Sequence, residues 1–172
     1  MENEQVLLTE KQMFRQTWVI IPLMMTNVIS VVLWTEYFRE AEAGRATQED
    51  LWGSIIGTSI ILLTSCLMFI IQLKTKITDK GIYVQLFPFH LKYKFFAYNE
   101  MSLLYIRKYS PIGEFGGWGL RYSFNGKGKA FNVSGDMGLQ LEVNGKKILI
   151  GTQRPDELKE IIQSRGLEKL PV

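Results

Sequence analysis

Two long uncharged apolar runs occupy the first part of the chain, and short alternating runs follow them. The first apolar run extends from Trp18 to Trp34 and the second from Leu51 to Leu73. A helix needs roughly 17–25 mainly apolar residues to cross the hydrocarbon core of a bilayer. The two runs therefore predict two transmembrane helices, at residues 18–37 and 51–73.

The segment between the two runs is polar and contains Gly44. It predicts a loop at residues 38–50, and thus a helical hairpin in the membrane. A cleaved signal peptide is the alternative for the first run, but the small-x-small pattern of a cleavage site does not follow it. We therefore expect the first helix to be retained.

Small residues in the second run predict how the two helices pack. Gly53 and Gly57 form a small-xxx-small pattern, and Thr64 lies on about the same helix face. Such residues let helices approach closely and gain contacts that lipid cannot replace. The expected partner face on the first helix contains Thr26, Asn27 and Ser30. Packing within the hairpin is the favoured interpretation, and dimerisation is the alternative.

Basic residues beside the two runs predict the orientation, because Lys and Arg accumulate on the cytoplasmic side. Five of them flank the hairpin and two lie in its loop. They are Lys11, Arg15, Lys74, Lys76 and Lys80 outside the hairpin, and Arg39 and Arg45 in the loop. We therefore expect a multi-pass membrane protein with both termini in the cytoplasm, in which residues 1–17 form an N-terminal cytoplasmic segment.

From about Lys76 onward, apolar and polar residues alternate in short runs. In residues 139–143 the alternation is strict, which is typical of a strand with one solvated face. Asn125-Gly126 and Asn144-Gly145 suit two-residue hairpin turns, because both dipeptides adopt positive φ easily. Strands at this regular spacing predict a barrel or sandwich of about seven antiparallel strands.

The end of the chain has a helical pattern instead. Pro155 suits the first turn of a helix, and the carboxylates of Asp156 and Glu157 favour the positive end of its dipole. Gly166 is a natural C-terminal stop. The apolar side chains Leu158, Ile161 and Ile162 share one face, which we expect to cap the open end of the barrel.

Composition offers few groups for chemistry. The chain has one cysteine, Cys66, and one histidine, His90. A metal site, a disulfide framework or a Cys/His nucleophile pair is therefore not expected, since Cys66 lies inside the second apolar run. The net charge of +3 is too small to indicate nucleic acid binding. We expect no enzyme activity and no cofactor, and an enzyme acting on lipid is the remote alternative.

Four segments in the second half of the chain have a recognisable order. They are TKITDKGIYV, YNEMSLLYIRKYSP, GGWGLR and ILIGTQRPDELKEII. From about Lys74 to Arg165, with a helical hairpin before it, this order resembles the bacterial PH-like (pleckstrin-homology-like) domain membrane proteins. The resemblance implies a bent antiparallel barrel with a C-terminal helix at residues 74–172, in a bacterial inner membrane. It implies little about activity, because fold does not determine function.

Lysines of the C-terminal region are candidate contacts for anionic lipid. Residues 76–172 contain fifteen Lys or Arg and nine Asp or Glu, and an anionic leaflet attracts basic residues by about 1 kcal/mol each. The candidates are Lys74, Lys76, Lys80, Lys92 and Lys94. PH domains that bind phosphoinositides carry a basic cluster near their first hairpin, whereas the turn at Asp79-Lys80-Gly81 has one lysine. A solvated basic face is therefore the favoured interpretation, and contact of these lysines with anionic lipid is the alternative.

The stretch from Gly113 to Gly119 contains four glycines, with Phe115 and Trp118 between them. Its spacing is not that of a phosphate-binding loop, and the pattern predicts a following strand at Leu120–Phe124 rather than the required helix. Packing of Trp118 on its own domain is the favoured interpretation, and contact of Phe115 and Trp118 with a partner or the bilayer is the alternative.

Aromatic residues also crowd into residues 93–98, which we interpret mostly as core. Alternation puts Tyr93 and Phe95 on the face opposite Phe96 and Tyr98, so one of these pairs is a candidate exposed surface.

These observations predict a non-catalytic, membrane-tethered adaptor that holds a partner protein, or its own oligomer, at the cytoplasmic membrane surface. An accessory subunit of a larger membrane complex and a domain that senses anionic lipid are the alternatives.

Overall fold

The computed structural model describes residues 4–123 and 126–171, apart from the side chain of Trp18. The chain divides into two compact units: residues 14–70 form one, and the residues before and after this insertion form the other. We refer to them as the helical hairpin and the β unit. Phe124 of the predicted strand and Asn125 of the predicted turn lie outside the described residues.

The helical hairpin consists of α1 (Thr17–Glu42) and α2 (Gln48–Ile70). Both are long and apolar enough to cross a membrane, by length and composition. Only 6% of the most apolar window of each helix is buried, and large side chains such as Leu63 are 70% exposed. The two predicted apolar helices are confirmed, although α1 continues into the predicted loop.

The first sheet of the β unit contains four antiparallel strands in the order β1-β2-β3-β4. They are β1 (Val6–Met13), β2 (Gln72–Thr78), β3 (Gly81–Phe87) and β4 (Lys94–Ala97). A single 3₁₀ turn at Tyr98–Glu100 then leads into the second sheet.

The second sheet contains five strands in the order β5-β8-β9-β7-β6. They are β5 (Met101–Lys108), β6 (Gly119–Tyr122), β7 (Lys129–Asn132), β8 (Met137–Val143) and β9 (Lys146–Gly151). The β7–β9 pair is parallel, and the other pairs are antiparallel. Two helices complete the unit: α3 (Pro111–Phe115) lies between β5 and β6, and α4 (Pro155–Ser164) follows β9.

This architecture corrects the predicted barrel of about seven antiparallel strands. The described part of the chain contains nine strands in two separate sheets, without a closed barrel. The hydrogen-bonded ladder stops because β4 has only four residues and the 3₁₀ turn at Tyr98–Glu100 separates it from β5. The predicted C-terminal helix is confirmed, with Leu158 and Ile162 buried and Gly166 at φ +62° beyond its end.

Strand β1 is the element that the sequence pattern does not predict, because residues 1–17 are expected to lie outside the domain. It pairs with β2 from Val6–Thr78 to Met13–Gln72. Its inward positions carry the polar residues Glu10 and Gln12, which are 6% and 1% exposed. These inward polar residues hide the apolar alternation of a strand.

The segment after β9 provides the partners of these buried polar groups. The carboxylate of Glu10 accepts hydrogen bonds from the Thr152 hydroxyl at 2.8 Å and the Gln153 N–H at 2.6 Å. Gln12 Nε2 donates to the Gly151 carbonyl at 2.7 Å. A buried carboxylate is stable only when it is hydrogen-bonded, so these contacts fix β1 to the segment that leads into α4. The β unit therefore begins before the hairpin and closes after it.

Both sheets and α4 contribute fully buried apolar side chains. Burial of each is worth about 1.5–3 kcal/mol. The largest of them include Leu73, Ile77, Ile82 and Leu86 from the first sheet, Leu104, Leu139, Leu141, Leu149 and Ile150 from the second, and Leu158 from α4.

Candidate functional site

The glycine-rich segment, residues 110–119, contains a short helix rather than an open loop. Ser110 Oγ accepts a hydrogen bond from the Gly113 N–H at 3.1 Å, and Pro111 occupies the first helical turn. Gly116 ends the helix at φ +70°, a left-handed conformation that favours glycine. The glycines thus serve local geometry.

Phe115 lies in the core of the β unit and is 1% exposed. It packs in a buried cluster with Tyr109, Ala130 and Leu149, and its ring centroid is 6.0 Å from that of Tyr109. Burial raises the pKa of Tyr109 to about 12. Because the Phe115 side chain has almost no surface to offer, the structure removes it from the predicted pair of contact residues.

Trp118 is half-buried, and its indole Nε1 donates to the Gly135 carbonyl at 3.3 Å. Arg121 Nε donates to the Trp118 carbonyl at 2.9 Å. These contacts lie within the β unit, and they support the interpretation that Trp118 packs on its own domain.

Glu114 fastens the glycine-rich segment to β5. Arg107 donates to both of its carboxylate oxygens, at 3.2 and 2.8 Å, and the Ser110 N–H and Lys127 ammonium lie at 3.0 and 3.2 Å. Burial alone would raise the pKa of Glu114, but the hydrogen bonds from Arg107, Ser110 and Lys127 outweigh it and hold the pKa at about 2. Arg107 Nε also donates to Gln140 Oε1 at 3.1 Å.

The hydrogen bond between Arg107 and Gln140 explains a difference from the predicted pattern in β8. Gln140 is only 4% exposed, although the alternation predicts a solvated side chain. Its amide also donates to the Ile148 carbonyl at 3.1 Å. Because Leu139, Gln140 and Leu141 are all buried, this part of β8 is covered on both faces, and Arg107 pairs with the buried amide of Gln140.

The segment before and within β4 exposes four large apolar side chains, which we call the aromatic patch. They are Phe89, Leu91, Tyr93 and Phe95, with exposed fractions of 55%, 77%, 37% and 45%. The interpretation of this aromatic crowding as mostly core is therefore wrong for Tyr93 and Phe95, and these two form the exposed pair.

Polar contacts position the aromatic patch. The His90 N–H donates to the Leu86 carbonyl at 2.8 Å, and Gln85 Nε2 donates to the Leu91 carbonyl at 2.7 Å. The Tyr83 ring centroid lies 4.5 Å from that of Phe95 and 6.4 Å from that of Tyr93. One backbone and one side-chain hydrogen bond therefore position the segment at His90 and Leu91, and ring contacts with Tyr83 position Tyr93 and Phe95.

The five lysines predicted to contact anionic lipid do not share one surface. Lys74 and Lys76 lie at alternate positions of β2, on one face of the first sheet, and Lys11 of β1 is directly opposite Lys74. Lys80 lies in the β2–β3 turn, and Lys92 lies in the segment before β4.

Lys94 lies on the other face of the first sheet, because it pairs with Val84, which is fully buried. Strict alternation in β4 sends Phe95 outward and Lys94 toward the second sheet. There it belongs to a group that we call the basic cluster: His90, Lys94 and Lys129. The three basic side chains lie around the ring of Phe131.

Electrostatics in the basic cluster are unfavourable for positive charge. Burial lowers the pKa of His90, and the charges of Lys94 and Lys129 lower it further. Burial and the neighbouring Lys129 likewise lower the pKa of Lys94. Sequence reasoning missed Lys129 because it lies on a different sheet and far from Lys94 along the chain, and no local pattern connects the two.

Polar side chains join the two helices of the hairpin. Asn27 Nδ2 donates to Ser65 Oγ at 3.0 Å, Ser30 and Thr58 hydroxyls lie 3.0 Å apart, and Trp34 Nε1 donates to Thr58 Oγ1 at 2.7 Å. The structure thus brings Asn27 and Ser30 of the expected face against α2.

The predicted residues of α2 lie elsewhere. Thr64 Oγ1 donates to carbonyls of its own helix, at Ile60 and Ile61. In the described part of the chain, no atom beyond their own helix turn lies within 4 Å of a Cβ placed at Gly53 or Gly57. Both glycines line an open cavity of about 520 Å³ between α1 and α2, so they do not mediate close helix packing in this hairpin.

Within residues 4–123 and 126–171, no group of three or more His, Cys, Asp or Glu side chains could hold a metal ion. Comparisons of the chain with models of known families, with curated protein sequences and with solved structures find no match.

Proposed function

We propose that this chain is a non-catalytic, membrane-anchored binding module that holds a partner protein at the cytoplasmic surface of a bacterial inner membrane. In this proposal α1 and α2 cross the bilayer with both termini in the cytoplasm, and the β unit is a PH-like domain. Its two sheets, its C-terminal helix and the resemblance of its sequence motifs support that assignment. The observation that carries the proposal is the aromatic patch.

The aromatic patch differs from ordinary exposed apolar residues. Single exposed apolar residues are normal on a protein surface, but contiguous apolar patches usually mark interaction sites. Among the described residues elsewhere in the β unit, the large exposed apolar side chains, such as Ile112 and Leu170, are far apart along the chain. In the patch, four of them lie within seven residues of the chain, and the rings of Tyr93 and Phe95 both contact Tyr83.

Its chemistry also resembles the centre of a protein interface, where aromatic side chains are enriched and a polar rim surrounds them. The ammonium of Lys76 lies 5.1 Å from the Tyr93 ring centroid, and Lys92 lies between Leu91 and Tyr93. A partner that covers the rings would gain apolar burial at the centre and electrostatic contacts at the edge. This arrangement favours a protein partner with an apolar surface and acidic residues around it.

The insertion of the hairpin explains how such a module stays at the membrane. Met13 and Gln72 are directly paired, so the chain leaves the first sheet and returns to it at adjacent positions. Three residues connect β1 to α1, and a single residue connects α2 to β2. With connections this short, helices in the bilayer would keep the β unit, and its partner, at the membrane surface.

Photo-crosslinking tests the proposal directly. A photoreactive residue at position 92 should crosslink a specific protein in the native membrane. Phe89→Ser combined with Leu91→Ser should reduce that product at least tenfold, whereas Ile112→Ser, which removes an isolated exposed apolar side chain, should leave it unchanged. An undiminished product in the double variant would refute the role of the patch.

The accessory-subunit alternative predicts that the hairpin, not the β unit, recognises the partner. Replacing residues 14–71 with Asn-Gly should convert β1 and β2 into a hairpin with a two-residue turn, since Met13 pairs with Gln72. If this variant folds and crosslinks the same protein in solution, the β unit recognises it. Loss of the crosslink in the folded variant would support the alternative. A fragment that starts at Lys76 would not serve, because it lacks β1.

A further inference from the structure

The basic cluster connects the two sheets of the β unit around one ring. Lys129 Nζ lies 4.9 Å from the Phe131 ring centroid, Lys94 Nζ lies 5.9 Å from it, and the His90 ring centroid lies 5.5 Å away. Lys129 Nζ is also 5.1 Å from the ring centroid of Tyr122. Lys94 begins β4 of the first sheet and Lys129 begins β7 of the second, so the tertiary structure alone brings these charges together.

Three basic side chains around one buried ring require compensation. In the described ranges, neither Lys94 nor Lys129 has a carboxylate within salt-bridge distance. Contacts between the ammonium groups and the rings of Phe131 and Tyr122 offset part of the repulsion. However, like charges that lie close together still disfavour each other's charged forms. An anion between them would remove this penalty.

His90 provides a second, independent observation. Its Nδ1 atom is buried and makes no hydrogen bond of good geometry among the described residues, although buried polar atoms are normally paired; the Leu86 backbone interacts with the imidazole only weakly. A ligand bound near the ammonium groups of Lys94 and Lys129 would supply the missing hydrogen-bond partner of this atom. In the protonated or Nδ1–H form it is a hydrogen-bond donor, as both lysines are.

We propose that Lys94, Lys129 and His90 form a binding site for a phosphate-type anion, with the Phe131 ring as its floor and Tyr122 beside it. A tetrahedral oxyanion with two charges matches donors that converge from two sheets and a loop, and lysine binds phosphate as a compact positive charge. The site uses different side chains from the aromatic patch, so it does not depend on the proposed partner protein. Its ligand is a phosphate group, free in solution or on a lipid headgroup.

Protection of lysines from acylation tests this site in the full chain. The protein is placed in nanodiscs of phosphatidylcholine and treated with an acetylating reagent, and modification of each lysine is followed by mass spectrometry. Inorganic phosphate should slow modification of Lys94 and Lys129 at least threefold relative to sodium chloride of equal ionic strength. Lys146, which is exposed at the start of β9, is the internal control and should be unaffected.

A second arm distinguishes the source of the phosphate. Nanodiscs that contain phosphatidic acid, without added phosphate, should protect the same two lysines only if the site takes a lipid headgroup. Protection by inorganic phosphate alone identifies a free anion. If neither probe protects Lys94 and Lys129 more than Lys146, the proposal is wrong.

A variant separates a binding site from a purely structural cluster. In Lys129→Gln, phosphate or phosphatidic acid should no longer protect Lys94, whereas Lys146→Gln should leave that protection intact. Because Lys129→Gln also removes charge repulsion, the thermal midpoint of the anion-free protein should stay the same or increase. Protection of Lys94 that persists in Lys129→Gln, or a lower midpoint in phosphate-free buffer, would contradict the proposal.

Discussion

Two aromatic segments of the β unit differ in burial. In each, the burial is the reverse of what the sequence suggests. The glycine-rich segment looks like an exposed loop, yet it folds into α3 and buries Phe115. The aromatic crowding of residues 93–98 looks mostly like core, yet Tyr93 and Phe95 are exposed, as are Phe89 and Leu91 just before them. The comparison shows that aromatic content does not separate core from contact surface. The tertiary packing around each ring does.

Different forces hold the two segments in place. Phe115 is fixed by burial against Tyr109 and Leu149, and Glu114 adds charged hydrogen bonds to Arg107. The aromatic patch is held by hydrogen bonds from the backbone of His90 and the side chain of Gln85. Substitutions should therefore affect stability strongly in the first segment and weakly in the second, while partner binding should follow the opposite order.

The largest effect should come from Phe115→Ala. Removing a fully buried ring leaves a cavity, and such changes cost about 3–5 kcal/mol. Hydrogen exchange of the β8 and β9 amides in the detergent-solubilised chain measures the loss in the free energy of opening. Phe89→Ala, which removes an exposed ring, is the matched control and should cost less than about 0.5 kcal/mol. Equal losses in the two variants would abolish the contrast between the segments.

Glu114→Gln should have the next largest effect, about 1–3 kcal/mol at neutral pH, because it leaves Arg107 without its charged acceptor. The effect should depend on pH. The pKa of Glu114 is held at about 2 in the folded protein, below that of an unfolded chain, at about 4.3. Its contribution to stability is therefore fully present above about pH 4.5 and is lost as pH falls toward 2.

The pH prediction is measured as the difference in urea midpoint between the native protein and Glu114→Gln. Trp118 is the one tryptophan of the four that lies outside the hairpin, so its fluorescence reports the β unit once the other three are changed to Phe. The difference in midpoint should be smaller at pH 3 than at pH 6.5. A difference that stays constant over this range would show that Glu114 does not hold its charge through these contacts.

Trp118→Phe should cost about 0.5–1.5 kcal/mol, since it keeps most of the ring but removes the Nε1–H donor to the Gly135 carbonyl. Hydrogen exchange of β8 and β9 is again the measurement. Crosslinking from position 92 should be unchanged in this variant. Normal stability combined with lost crosslinking would instead assign Trp118 to the contact surface and reverse the comparison.

The smallest effect on stability should be that of Phe89→Ser with Leu91→Ser, within about 0.5 kcal/mol, because both side chains are largely exposed in the native protein. Solubility of the variant in which Asn-Gly replaces the hairpin should increase when the patch is removed, since exposed apolar patches promote association. Sedimentation of that variant with and without the patch measures the change. A large loss of stability would show that the patch belongs to the core.

Local patterns were sufficient for several elements. The two apolar helices follow from their length and lack of charge, and α4 follows from Pro155, its apolar face and Gly166. The turn at Asn144-Gly145 has φ of +52° and +72°, as expected for a two-residue hairpin turn. Each of these features depends on residues that are neighbours in the sequence.

Non-local pairing determined the other features. β1 becomes a strand because Glu10 and Gln12 find partners some 140 residues later, next to β9. The parallel pairing of β7 with β9 places Lys129 in the second sheet, opposite Lys94 of the first. No periodicity along the chain contains this information.

The sequence by itself determined that the chain has two membrane-length helices, a strand-rich region and a terminal helix, because helix propensity, hydropathy and turn chemistry act over a few residues. Only the tertiary structure decided which side chains are buried, because in a strand each residue points to one of two faces and sheet packing chooses between them. That choice sent Phe95 outward and Lys94 into the basic cluster, and packing of α3 with Tyr109, Ala130 and Leu149 buried Phe115.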